Sequence, residues 1–206
     1  MLFLHRIDIL KDYISNSIFN IPINLDILNY KTTNFNDYRY LQQAVESFFI
    51  EQNYNKAESL FTKLIKLYPS LNTFYKYKAI CMYFNKDYNN AIYIFEKSKT
   101  IVFQDNELHY YLGLCYFRKQ KYFQASKHFK FAIDFSSDKK LSYYIKLAIS
   151  LRELKDYKQA LEVLNKSLKF NTKNYGTYYQ LYKIHTLLDN KSLAEKNIKI
   201  ADALKF

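Results

Sequence analysis

Beyond its carboxylates, this chain of 206 residues carries little that could do acid–base, metal or nucleophilic chemistry: four histidines and two cysteines. His5, His109, His128 and His185 lie far apart, and Cys81 and Cys115 stand singly. A hydrolytic metal needs something like His-Glu-x-x-His on one helix face, a structural zinc needs paired cysteines, and a phosphate cradle needs a glycine-rich loop. None of these spacings is present, and the chain has two Gly and two Pro in all. Such a sequence is expected to be no enzyme, with no cofactor, no metal and no small-molecule substrate.

The remaining chemistry is noncovalent. Aromatic residues make up 19% of the chain, with Tyr 22 and Phe 17, and the formal net charge is +12. A basic chain attracts phosphates or acidic surfaces. Arginine does most bidentate reading of phosphates and bases, and there are only Arg6, Arg39, Arg118 and Arg152. Acidic residues such as Glu96, Asp134 and Glu162 also interrupt the lysines. Nucleic acid or an anionic membrane is therefore the less favoured partner. The apolar start Met1–Leu4 is broken by His5, Arg6 and Asp8, and no apolar run is long enough to span a membrane. The expected compartment is the cytoplasm.

Positioning of these groups falls to a repeat. Ala57, Ala91, Ala125, Ala160 and Ala194 recur every 34 or 35 residues. A period in the thirties means one helical hairpin copied and stacked, and low Gly and Pro suit helices over sheets. Units counted from nineteen residues before each alanine begin at Tyr38, Asn72, Asn106, Leu141 and Tyr175. The third unit carries His109, Leu112, Gly113, Tyr116, Ala125, Phe129 and Ala132 at positions 4, 7, 8, 11, 20, 24 and 27. Position 17 reads Tyr54, Tyr88, Tyr122, Tyr157 and Lys191, and Pro69 stands at position 32 of the first unit. This pattern resembles the tetratricopeptide repeat family over 38–206. Lys78 at position 7 and Tyr182 at position 8 depart from it. The resemblance implies an all-α, right-handed α-solenoid of five helix-turn-helix units: 38–71, 72–105, 106–140, 141–174 and 175–206. In the third unit the apolar spacing predicts helices near 107–119 and 122–135. Gly113, Ala125 and Ala132 are expected to let the two helices approach closely. Cys81 and Cys115 at position 10, and His109 and His185 at positions 4 and 11, read as packed core groups. His128 has no acid–base partner in register.

Residues 1–37 fall outside the repeat. Phe3, Ile7, Leu10, Ile14 and Ile18 predict an amphipathic helix ended by Asn20, Pro22 and Asn24. A cap on the first repeat is the favoured role; a docking arm, a dimerisation helix for a homodimer, or a segment folding into the protein's own groove is the alternative.

The resemblance also implies that positions 2, 5, 9, 12 and 13 of each first helix line a concave groove. Positions 9, 12 and 13 of the first three units are apolar at seven of nine places, against four of twenty on the outward side of the second helices. That contrast points to a groove for a polypeptide. The expected contacts are Phe49, Ile50, Ile80, Tyr83, Phe84, Tyr110, Leu114 and Phe117, with Arg39, Lys76 and Arg152 as polar selectors. The lysine–asparagine clamp by which such repeats hold acidic tails of heat-shock chaperones is missing, since Lys76 is followed by Ile80, and Tyr111, Ser142 and Lys146 occupy the later positions. The expectation is a scaffold or adaptor for a protein or peptide partner. Its alternative is a chaperone of a hydrophobic client, similar to the translocator chaperones of type III secretion.

Overall fold

The computed structural model of the chain describes residues 35–99 and 103–205. The expected amphipathic helix over Phe3–Ile18, and with it the cap or docking role, lies outside the described residues. Every described regular element is helical. The helices are α1 (Phe35–Val45, continued by a π-turn over Glu46–Ile50), α2 (Tyr54–Leu67), α3 (Asn72–Phe84), α4 (Tyr88–Lys99) and α5 (Asn106–Arg118). They continue as α6 (Tyr122–Asp134), α7 (Leu141–Glu153), α8 (Tyr157–Leu168), α9 (Tyr175–Leu187) and α10 (Lys191–Ala203). The helices α5 and α6 match the expected 107–119 and 122–135 to within one residue at each end.

Five helical hairpins arise because every odd helix stops at a residue of positive φ. Gln52, Lys86, Gln120, Lys155 and Asp189 have φ between 51° and 65°. At four of them the backbone N–H of the next residue donates to the carbonyl five residues before that donor, Asp87 to Met82, Lys121 to Tyr116, Asp156 to Leu151 and Asn190 to His185, at 2.9 Å. These four are Schellman stops, which answer the helix's orphan carbonyls and reverse the chain. After Gln52, where α1 ends in a π-turn, Asn53 donates to Ser47, six residues before it, at 2.8 Å. The residue that closes the stop also opens the next helix. Asn53 and Asp156 accept side-chain hydrogen bonds from the N–H of Lys56 and Gln159 at 3.1 Å, and Asp87 from that of Asn90 at 3.3 Å.

The chain divides into two compact units, 1–74 and 75–206, the division falling inside α3. In the described part of the first unit α1 packs on α2. Phe48 sits edge-on to Phe49, Tyr54 and Phe61 with ring centroids 4.6, 5.6 and 6.3 Å away, and Ala44 and Ala57 are fully buried.

In the second unit each hairpin from α5 onward closes on itself, and α6 packs on α7 and α8 on α9. One continuous core joins Leu114, Ala125, Phe129, Leu147, Ala148, Leu151, Ala160, Leu164, Leu181 and Ile184. The repeated alanines Ala125 and Ala160 are its spacers, and like Ala91 they have no exposed surface. Gly113 is needed for the same closeness, because a Cβ there would lie 2.8 Å from Cε1 of the buried Phe129. Cys81 and Cys115 are fully buried, and burial pushes the Cys115 thiol up to about 12.

Candidate functional site

On the second unit the odd-numbered helices carry a run of aromatic side chains. Tyr83 and Phe84 leave the last turn of α3 and meet edge to face at 5.3 Å. Tyr111, from the middle of α5, packs against both at 5.6 and 6.0 Å. Tyr110 stands beside Tyr111 at 5.6 Å and tilts over Tyr143 of α7 at 4.6 Å. Phe117, in the last turn of α5, rests against Tyr122 at 5.4 Å. Tyr83, Tyr110, Tyr111 and Phe117 are half-buried, and Phe84 is 39% exposed. Aromatic edges left in water while their faces are fixed by neighbours form a preorganised apolar contact surface.

The expected contact residues separate into two sets. Tyr83, Phe84, Tyr110 and Phe117 belong to this run. Ile80 is fully buried and Leu114 is 7% exposed. Leu114 packs into the core with Leu147 and Leu151 of α7, so in the second and third units the position-9 side chains are covered by the stack. Phe49 and Ile50 sit on the first unit, Phe49 half-buried and Ile50 53% exposed.

The expected polar selectors are mostly engaged elsewhere. Lys76 is buried, and its Nζ lies 2.9 Å from Asp105 Oδ2 and 3.0 Å from Glu107 Oε2. Burial by itself would lower the proton affinity of Lys76; Glu107 and Asp105 outweigh it and hold the ammonium above the ordinary lysine value. Asp105 also caps α5, accepting from the Leu108 N–H at 2.9 Å. Lys76 therefore ties α3 to the start of α5 and has no charge to spare. Arg152 donates to Gln180 Oε1 of α9 and to Glu153 Oε1, both at 2.6 Å. Arg39, on the first unit, is exposed.

The sequence pattern passed over four groups. Tyr111 and Tyr143 lie at positions 6 and 3, beside the expected lining positions. Lys146 of α7 holds its Nζ 5.5 Å above the Phe117 ring. His128 does have partners, contrary to its reading from register: its Nδ1 lies 3.1 Å from His109 Nδ1 and its Nε2 3.6 Å from Glu96 Oε1. Tyr116 donates to the same Glu96 oxygen at 3.2 Å, and His109 Nε2 lies 2.7 Å from the Phe103 carbonyl. Since that nitrogen donates to the carbonyl, His109 Nδ1 accepts, and His128 is the donor between the rings. The cluster is a polar staple of α4, α5 and α6. Among the described residues there is no group of three or more His, Cys, Asp or Glu that could hold a metal ion, and no helix long and apolar enough to cross a membrane.

Helical hairpins in one repeating register, with an aromatic run on the first helices α3, α5 and α7 of the second unit, define the class: a helical-repeat protein. Its fold is that of tetratricopeptide-type repeats. Residues 84–167, from the end of α3 to α8, match the sequence model of the family described as anaphase-promoting complex, cyclosome, subunit 3. Among solved structures the chain is similar to MamA 41-end from Desulfovibrio magneticus RS-1, with TM-score 0.77 and 12% identity over 84% of this chain and 96% of that one. It is likewise similar to the MamA RS-1 ArsTM double mutant (TM-score 0.77, 11% identity, 84% and 96% covered). A crystal structure of MamA gives TM-score 0.70 and 17% identity over 75% of this chain and 90% of that one. At such identities the likeness is one of fold. No curated protein matches the chain.

Proposed function

We propose that this protein is a non-enzymatic scaffold or adaptor that binds a polypeptide segment on the first-helix face of its second unit. The observation that carries this reading is the half-exposed run Tyr83–Phe84–Tyr111–Tyr110–Phe117, side chains that the fold holds in place without burying. An apolar helix or extended strand laid across α3, α5 and α7 would cover these edges and replace water. Phe49 and Ile50 are proposed as contacts belonging to the first unit by itself, and residues 1–37 as an end cap. A cytoplasmic location accords with this role. The lysines on the even-numbered helices, among them Lys127, Lys130, Lys166 and Lys169, are exposed; they serve solubility in this reading.

The test is the double variant Tyr83→Ala/Phe117→Asp. Partner capture from the native cell extract, read by mass spectrometry, should be lost while far-UV circular dichroism and the melting temperature stay close to wild type. A variant that loses its fold together with its partner would show those rings to be core, and one that keeps its partner would place the site elsewhere.

A further inference from the structure

The aromatic face carries four basic side chains with different fates. Lys76 and Arg152 are neutralised or hydrogen-bonded from within, as described above. Arg118 and Lys146 are not: among the described residues no carboxylate forms an ion pair with either. Arg118 ends α5 near the Tyr83 hydroxyl, whose presence holds its guanidinium above the ordinary arginine value. Lys146 reaches from α7 over the ring of Phe117, the residue before Arg118. Two positive groups from neighbouring helices thus converge on the apolar contacts with no counter-charge. Lys146 is half-buried. Burial, with the Arg118 guanidinium nearby, pushes its ammonium below the ordinary lysine value. Like charges brought together and partly desolvated are costly, and an incoming anion removes that cost while forming charge-assisted hydrogen bonds.

We propose that Arg118 and Lys146 form an acidic-side-chain subsite, so that the segment bound on this face carries an Asp or Glu next to the apolar residue that covers Phe117 and Tyr83. This rests on the proposed peptide-binding face. It adds the chemistry of the partner: an acidic–apolar segment, read along its length and not at its C-terminal carboxylate. Arg118 supplies a planar fork for the carboxylate and Lys146 a compact charge beside it. Phe117 forms the floor on which the neighbouring apolar side chain rests.

The probe is a random peptide library displayed between neutral linkers, so that no terminal carboxylate is offered. It is panned against the full chain, against Tyr83→Ala/Phe117→Asp, and against Arg118→Glu/Lys146→Glu. The neutral pair Arg118→Gln/Lys146→Met serves as a second variant that keeps the side-chain stems and the fold, with helicity checked for each. Peptides that need Tyr83 and Phe117 should be enriched in Asp or Glu at a fixed spacing from an apolar residue. A synthetic copy of one should bind roughly tenfold more weakly when its acid is changed to the amide, and again when either charge variant replaces the wild type. Peptides that need Tyr83 and Phe117 but show no acidic preference, or that ignore both charge variants, overturn the subsite and leave the binding face standing. A panning that yields no peptide dependent on Tyr83 and Phe117 overturns both.

Discussion

At the scale of single residues, burial decides what each polar group can do. His185 occupies a repeat position that is Tyr116 in the third unit. Its Nδ1 is buried without a hydrogen-bond partner, and burial holds the imidazole below its ordinary value. The unfolded chain, with a free imidazole near about 6.5, takes up a proton as the pH falls, and the folded chain does so only at lower pH. The contribution of His185 is therefore fully present above about 6.5 and is lost as the pH drops below it. Denaturant titrations at neutral and mildly acidic pH should show a smaller acid loss for His185→Phe than for the wild type; an equal loss in both would assign the acid sensitivity to other groups. Gly113 sets a second residue-scale limit. Alanine there should raise helix propensity by about 1 kcal/mol. Its Cβ would meet the Phe129 ring at 2.8 Å, and overpacking of that kind costs about 1–3 kcal/mol. Gly113→Ala is expected to lower the urea midpoint.

At the scale of elements, the hairpin turns repeat as faithfully as the alanines, and they do so without glycine. Gln120 sits at φ 57° and Lys155 at φ 62°, where a Cβ is strained by roughly 1–2 kcal/mol. Glycine at Gln120 relieves that strain and returns part of the gain through the entropy of the unfolded chain. The expected outcome for Gln120→Gly is a net stabilisation of up to about 1 kcal/mol, seen as a rise in the denaturation midpoint; a fall would mean that the turn is held by side-chain contacts of Gln120. The same turns explain why the expected helix boundaries of the third unit were legible to within a residue: the polar break after Phe117 ends the apolar spacing where the Schellman stop forms.

For the whole molecule, stability within the second unit comes from neighbour-on-neighbour packing. Leu181 and Ile184 of α9 bury against the core that contains Leu147, Leu151 and Leu164. A chain ending before Tyr175 would expose those leucines, so its remaining hairpins should stay helical but melt several degrees lower and bind more of an apolar dye. Complete loss of helicity would show that the last hairpin is required for folding at all, contrary to a nearest-neighbour stack. The outward lysines belong to this scale as well. Changing Lys127 and Lys130 to Glu should leave the melting temperature nearly unchanged, since exposed charges of this kind contribute little.

The amino-acid sequence by itself determined the repeat: its period, the helix pairs and the alanine spacers. A small residue recurring at one register is a local property that each hairpin enforces in the same way. It also carried Tyr83, Phe84, Tyr110 and Phe117 as expected contacts, through the groove positions 5, 12 and 13 that the family resemblance implies. Which of the flanking positions meet water was decided only in three dimensions. Ile80 and Leu114 share the apolar pattern of that face, yet the stacked neighbours cover them. Lys76 and Arg152 look like free charges in one dimension; Asp105 and Glu107, about thirty residues after Lys76, and Gln180, twenty-eight after Arg152, engage them. Arg118 and Lys146 carry the same charge in sequence, and only the packing of the second unit sets Lys146 of α7 over Phe117, the residue before Arg118.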